Sequence, residues 1–201
     1  IFSWSPREKT IVLFHDAWDV HNAYATVIPR ATLTIFAADV TPPSSIYEPG
    51  DRMRKTVFHE YTHILTADAQ YGPSAVLSSI LGRVMTAGDP LSFFIMLCTA
   101  PPGALAPNWY LEGLAIWAET EFTGPGRGRN SYADMVMRMA VADRRDLQPN
   151  QWDLHLPEWP YGEAAYLYGM TTLKYLCEQY SVPRQTNAPG ALADAVSHSF
   201  M

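Results

Sequence analysis

The hydrophobic pattern changes period about a quarter of the way along the chain. Thr10-Ile11-Val12-Leu13-Phe14 is a β-rich run, and Thr32 to Ala37 alternates polar and apolar residues at its start. Both read as strands. Tyr24 to Ile28 reads as a third strand between them, ended by Pro29. Pro42, Pro43, Pro49 and Gly50 mark a loop from Thr41 to Gly50. Helical spacing then takes over. Asp51 is placed to cap a helix that runs to about Ala69, and Gly72-Pro73-Ser74 breaks it. A helix from about Ser74 to Met85 follows. Asp89-Pro90 supplies a cap and a first-turn proline for another, from Pro90 to about Cys98. Pro101-Pro102-Gly103 ends that one. The next helix spans about Pro107 to Phe122 and is closed by Gly124-Pro125-Gly126. Asn130 or Ser131 caps a helix to about Arg145. A Trp- and Pro-rich connector, Trp152 to Pro160, leads into a long helix from Tyr161 to about Tyr180, and a weak helix covers Gly190 to Ser197. Strands first and helices afterwards predict an α+β fold, a small N-terminal β-sheet packed on a mainly helical body. We expect a single domain over residues 1–201, β-rich over 1–50 and helical over 51–201.

Composition narrows the function classes. With 201 residues, 48% of them hydrophobic, the chain can bury a sizeable core. Charged residues are 17% and scattered, which excludes a disordered tail as the main feature. A net charge of −6 argues against a nucleic-acid partner, which needs a basic patch. The most apolar stretch, Leu91 to Ala100, is too short to span a bilayer. The chain begins at Ile1 without a cationic and then apolar leader, so we expect any signal peptide to be absent from these residues. Cys98 and Cys177 read as two buried thiols or as one disulfide, and so leave the compartment open.

The chemistry concentrates in Val57-Phe58-His59-Glu60-Tyr61-Thr62-His63-Ile64-Leu65. On a helix, His59 and His63 stand one turn apart on one face, where two imidazoles can hold one metal ion. Glu60 lies beside them, where a carboxylate can take a proton from a metal-bound water. Phe58, Tyr61, Ile64 and Leu65 suggest a buried helix, and a buried His pair is satisfied by ligation. Catalytic zinc takes three protein ligands. No third His follows at short spacing, since Thr66 and Ala69 stand there. Glu112, within Trp109-Tyr110-Leu111-Glu112-Gly113-Leu114-Ala115-Ile116-Trp117, is the best third ligand, because a carboxylate among such neighbours needs a cation. The bland reading is a wet helix face. Gly113 makes sense where a second helix or the metal site must come close. Glu119, two turns after Glu112, either hydrogen-bonds a metal-bound His or is solvated. Arg127 and Arg129, in a Gly-rich turn, either bind a substrate carboxylate or an internal acid, or solubilise a simple turn. His15, His21, His155 and His198 are isolated and read as structural or exposed. Met135, Met137 and Met139 read as packing.

His59-Glu60-x-x-His63 followed by Trp109-x-x-Glu112-Gly113-x-Ala115 resembles the gluzincin metallopeptidases, the peptidase MA-like group. The resemblance implies a thermolysin-like zincin fold, with Glu112 as third zinc ligand from a second helix. The 48 residues between His63 and Glu112 exceed the separation in thermolysin and the zinc aminopeptidases, and fit the two extra helices between Ser74 and Cys98. Tyr166-Leu167-Tyr168-Gly169 with Tyr175-Leu176 is similar to a helix of the zinc aminopeptidases whose leading tyrosine donates to the developing oxyanion. That implies Tyr166 as transition-state donor, with Tyr161 or Tyr168 as substitutes; helix packing is the alternative. The order of Trp109 to Ala118, Gly126-Arg127-Gly128-Arg129, Asp134-Met135, Trp159-Pro160-x-Gly162 and Tyr166-x-Tyr168-Gly169 resembles a bacterial subgroup. There an extracytoplasmic domain of this kind is commonly fused to a Tol-type β-propeller. An extracytoplasmic location and a piece of a longer chain are therefore expected. The Gly-x-Met-Glu-Asn signature that binds a substrate amine is absent, which favours an endopeptidase over an aminopeptidase.

Together these features predict hydrolysis of a peptide or protein substrate by a Zn2+-activated water, with His59, His63 and Glu112 on the metal and Glu60 as general base. Zinc is favoured by ligation through two histidines and one glutamate. Thr32 to Ala37 is expected to be an edge strand that pairs with an extended peptide. The competing readings are a peptidase-fold binding module without activity and a purely structural helical domain.

Overall fold

The computed structural model describes residues 5–6, 8–17, 21–37, 52–124, 126–153 and 159–180, the side chains of His21, Ala37 and Tyr161 excepted. The loop from Thr41 to Gly50, the Asp51 cap, Pro125, most of the Trp152–Pro160 connector, His155, His198 and the helix expected over Gly190 to Ser197 lie outside the described residues. Within them are three strands followed by six α-helices, an α+β fold. Contacts gather the chain into two compact units. One takes Ile1–Ser5, Ser44–His59 and Pro107–Met201, the other Pro6–Pro43 and Glu60–Ala106, so the boundary falls inside a continuous helix.

In the second unit, strands β1 (Ile11–His15), β2 (His21–Thr26) and β3 (Thr32–Ala37) form one sheet in the order β1-β3-β2. β3 pairs in parallel with β1, Ile35 opposite Phe14, and antiparallel with β2, Ile35 opposite Ala23. It is therefore the central strand. The expected edge for peptide addition is filled on both sides, because the β2–β3 connection at Val27–Ala31 folds β2 back on one side and β1 takes the other. The alternation in β3 puts Leu33 and Ile35 on the buried face, where Ile64 packs with them and Ala31. Burying such side chains contributes about 1.5–3 kcal/mol each. Ile64 belongs to α1 (Arg52–Ala67), so the second half of that helix is what the sheet holds. α1 is only half buried: Ile64 is fully covered, but Val57 and Tyr61 are exposed. The helix is amphipathic, not the buried helix expected from its apolar residues.

α2 (Gly72–Leu81) starts two residues earlier than expected, with Pro73 in its first turn, and stops four residues short of Met85 because Gly82 takes φ +73°. α3 (Pro90–Thr99) begins as expected, with the Asp89 carboxylate accepting from the backbone N–H groups of Leu91 and Ser92 at 3.0 and 2.9 Å. α2 and α3 pack on each other and leave Ile80, Leu91 and Phe94 exposed. No helix among the described residues is long and apolar enough to cross a membrane. Arg83 pairs with the buried Asp68 and donates to the Val27 carbonyl at 2.7 Å.

In the first unit, α4 (Asn108–Thr123), α5 (Ser131–Ala142) and α6 (Ala164–Tyr180) carry the packing. α4 and α6 meet at two glycines. A methyl group on Gly113 would lie 2.6 Å from the Gly169 carbonyl carbon, and one on Gly169 would lie 2.0 Å from the Trp109 carbonyl oxygen. The close approach expected from Gly113 is thus a helix–helix contact. Ala133, Val136 and Leu167 form the core between α5 and α6, with Met137 and Met170 against them. Cys98 and Cys177 are half-buried free thiols, neither the fully buried pair nor the disulfide considered from sequence.

Candidate metal centre

α1, α4 and α6 set the site. His59 lies in the first half of α1, which the first unit holds through the Phe58 ring stacked on Phe122 at 5.6 Å and an Arg54 bond to the Phe122 carbonyl at 3.2 Å. That anchoring turns His59 toward α4. Its Nε2 is 3.2 Å from Glu112 Oε2, and both side chains are largely sheltered. His63 follows one helical turn on. His59, His63 and Glu112 each offer a ligand atom, and these atoms all lie within 4.8 Å of one another. Two neutral imidazoles and one carboxylate suit a borderline divalent ion. The donor set therefore fits a metal ion of this kind.

The other face of the His59 ring is fully engaged. Its Nδ1 lies 2.7 Å from Arg127 Nη2 and 3.5 Å from Glu119 Oε2. Glu119, 1% exposed, is bound three times by Arg127: the backbone N–H reaches Oε1 at 3.1 Å, and Nε and Nη2 reach Oε2 at 3.1 and 3.0 Å. Burial opposes charge on Glu119, but the His59 hydrogen bond and the Arg127 charge outweigh it and lower its pKa. Burial and Arg127 likewise oppose a protonated His59, yet the bonds to Glu112 and Glu119 prevail and raise its pKa. The glycines of the Gly126-Arg127-Gly128-Arg129 turn make the clamp possible. A methyl group on Gly126 would sit 2.2 Å from Thr120 Cα, so only glycine lets the turn lie on α4.

Of the residues singled out from sequence, Tyr166 comes to the site, its ring stacked on His59 at 6.3 Å, with the Arg127 guanidinium 5.2 Å from the same ring. The glycine contact explains this, because Gly169 stands one turn after Tyr166 on α6. Glu60 is buried on α1. Tyr168 is placed elsewhere: its hydroxyl accepts from the Leu147 N–H at 2.8 Å and its ring stacks on Trp152 at 5.4 Å, so it is not a substitute for Tyr166. Tyr161 opens the turn before α6, and its side chain lies outside the described residues. Arg127 binds the internal acid Glu119, one of its two expected uses. Arg129 closes α4, donating to the Thr120 carbonyl at 2.6 Å and to that of Gly124, and lies 3.5 Å from the carboxylate of Glu121, an acid of its own chain.

Glu163 is a neighbour the sequence reading missed. Partial desolvation of this surface carboxylate raises its pKa; Arg127 opposes this and Glu112 adds to it, so it shares the field of the site. The available signal was its spacing, three residues before Tyr166. His15 is structural, its ring edge-on to Phe36 at 5.6 Å. No protein-family model, no curated protein and no solved structure matches this chain.

Proposed function

We propose that the chain is a zinc-dependent peptidase of the gluzincin type, acting on peptides or proteins as an endopeptidase outside the cytoplasm. The observation that carries this reading is the convergence of His59, His63 and Glu112, whose ligand atoms lie within 4.8 Å of one another. Its support beyond the metal group is the company these residues keep. Glu60 adjoins His59 in the chain, and Tyr166 stacks on the His59 ring.

His59, His63 and Glu112 would hold the ion. A zinc ion held there supplies a Lewis acid and a water acidic enough to ionise near neutral pH. Glu60 then takes the proton of the attacking water and returns it to the leaving amine. Tyr166 donates a hydrogen bond to the carbonyl oxygen as charge grows on it, a contact worth most in the transition state. Arg127 and Glu119 hold the His59 ring in place behind the ligands.

The deciding experiment replaces Glu60 with Gln and follows both zinc content and cleavage of a mixed peptide library. Loss of a positioned general base lowers the rate by about 10²–10⁴-fold. We expect that loss with zinc still bound stoichiometrically. Undiminished cleavage by Glu60→Gln removes Glu60 as the base, and a wild-type protein that binds zinc but cleaves nothing favours the binding-module reading.

A further inference from the structure

His59 Nδ1 has a donor and an acceptor within reach at once: Arg127 Nη2 at 2.7 Å and Glu119 Oε2 at 3.5 Å. A guanidinium only donates and a carboxylate only accepts. Nδ1 therefore has a partner whether or not it carries a proton. On the far side of the ring, Nε2 faces the Glu112 carboxylate at 3.2 Å. A neutral imidazole has one N–H to place, which leaves two arrangements of equal ring charge. In the first, Nε2–H donates to Glu112 and Nδ1 accepts from Arg127. In the second, Nε2 offers its lone pair to a metal, and the proton sits on Nδ1, where Glu119 accepts it.

We propose that Arg127 and Glu119 are a pair of positioning residues that let His59 exchange hydrogen-bond partners as a metal loads, so that neither ring nitrogen is left without a partner in either state. This rests on the reading of His59, His63 and Glu112 as the metal ligands. Loading moves the ring proton from Nε2 to Nδ1, closes the 3.5 Å gap to Glu119 Oε2, and releases Arg127 Nη2 from the ring. Arg127 keeps its bonds to Glu119 through its backbone N–H and Nε, so the accepting carboxylate stays fixed and charged. Burial makes the arrangement consequential. His59 is 6% exposed, Arg127 8% and Glu119 1%, so water is poorly placed to substitute for a missing partner. The turn that carries Arg127 is built for this contact. Gly128 N–H bonds Thr120 Oγ1 at 3.0 Å, and Arg129 ties the same turn to the end of α4.

Glu119→Gln tests the pair. The amide has a single acceptor oxygen, whereas the clamp requires two from Arg127 alone, so the variant serves either Arg127 or the Nδ1 proton well, but not both. Zn2+ affinity is measured by competition with a chromophoric chelator, and the protonated nitrogen of His59 is read by 15N NMR of the imidazole with and without Zn2+. At a pH where the metal-free ring is neutral, we expect the ring proton on Nε2 without Zn2+ and on Nδ1 with it, and Zn2+ binding about 10–100-fold weaker in Glu119→Gln, the range typical of partners behind a metal ligand. Wild-type affinity in Glu119→Gln, or a ring proton that stays on one nitrogen, overturns the partner exchange while the metal centre stands. A wild-type chain that takes up no Zn2+ overturns the metal centre and the exchange with it. Should Glu119→Gln fail to fold, the wild-type ring proton decides alone.

Discussion

At the scale of single residues, the site is a small charged cluster set in apolar surroundings, and each charge depends on its neighbour. Arg127 is the clearest case. Removing one partner of a buried ion pair leaves the other uncompensated, at about 3–5 kcal/mol, whereas a surface pair contributes little. Arg127→Met retains much of the stem and removes the charge that faces Glu119. We expect destabilisation of that order, seen as a lower urea midpoint with an unchanged slope. A variant within 0.5 kcal/mol of wild type would mean that Glu119 does not depend on Arg127. Arg138→Met, at the exposed ion pair with Asp134, is the control and should shift stability far less. Much of this scale was legible in sequence. The i, i+4 histidines and a glutamate among tryptophans and leucines mark chemistry by their cost if left unpaired. Arg127 was ambiguous, because an arginine in a glycine-rich turn is as compatible with solvent as with an internal acid. Glu163 was passed over because its one local signal, a place three residues before Tyr166, is shared by many ordinary acids at the start of a helix.

At the scale of elements, the contact of α4 with α6 has the most influence on the site. Gly113 and Gly169 allow backbone to touch backbone, and that contact brings Tyr166 over His59. Gly169→Ala has two opposing effects. Alanine favours the helix by about 1 kcal/mol, but its methyl group would lie 2.0 Å from the Trp109 carbonyl, a rigid backbone atom. Overpacking of this kind costs about 1–3 kcal/mol, and a 2.0 Å approach belongs at the severe end. We expect a net loss, read as a fall in Tm of several degrees in a chain of this size. An unchanged or higher Tm would show that the two helices can separate at little cost. Helix positions were the best-read part of the fold, since Asp89, Asn130 and Pro90 act at the ends where their capping chemistry places them. The place of Thr32 to Ala37 was misread, as an edge strand where it is central. Alternation shows that Leu33 and Ile35 share a face, but not whether β1 and β2 lie on one side of the strand or on both, because pairing between distant strands is not encoded in the period of any one of them.

At the scale of the whole molecule, the metal group links residues from distant parts of the sequence: His59 and His63 on α1, Glu112 on α4. An ion that binds only the folded chain stabilises it by mass action, by about 2.7 kcal/mol when free ion exceeds the dissociation constant a hundredfold. We expect Zn2+ to raise the Tm and a chelator to lower it to a common metal-free value, and a Tm unmoved by either would mean that the three residues hold no zinc. The fold class was readable from the order of strands and helices. The division of the chain into two units was not, because it cuts a helix whose sequence has no break. That division has a consequence for how the protein opens. It splits the 16 residues of α1 into two equal halves between His59 and Glu60. Helices shorter than about 12–15 residues are marginal by themselves in water. Neither half of α1 outlasts the other, so loss of either unit should unravel the His59–His63 turn. In hydrogen exchange, amides 59–63 should then follow whichever unit opens more readily, making this turn a reporter of the weaker half of the molecule.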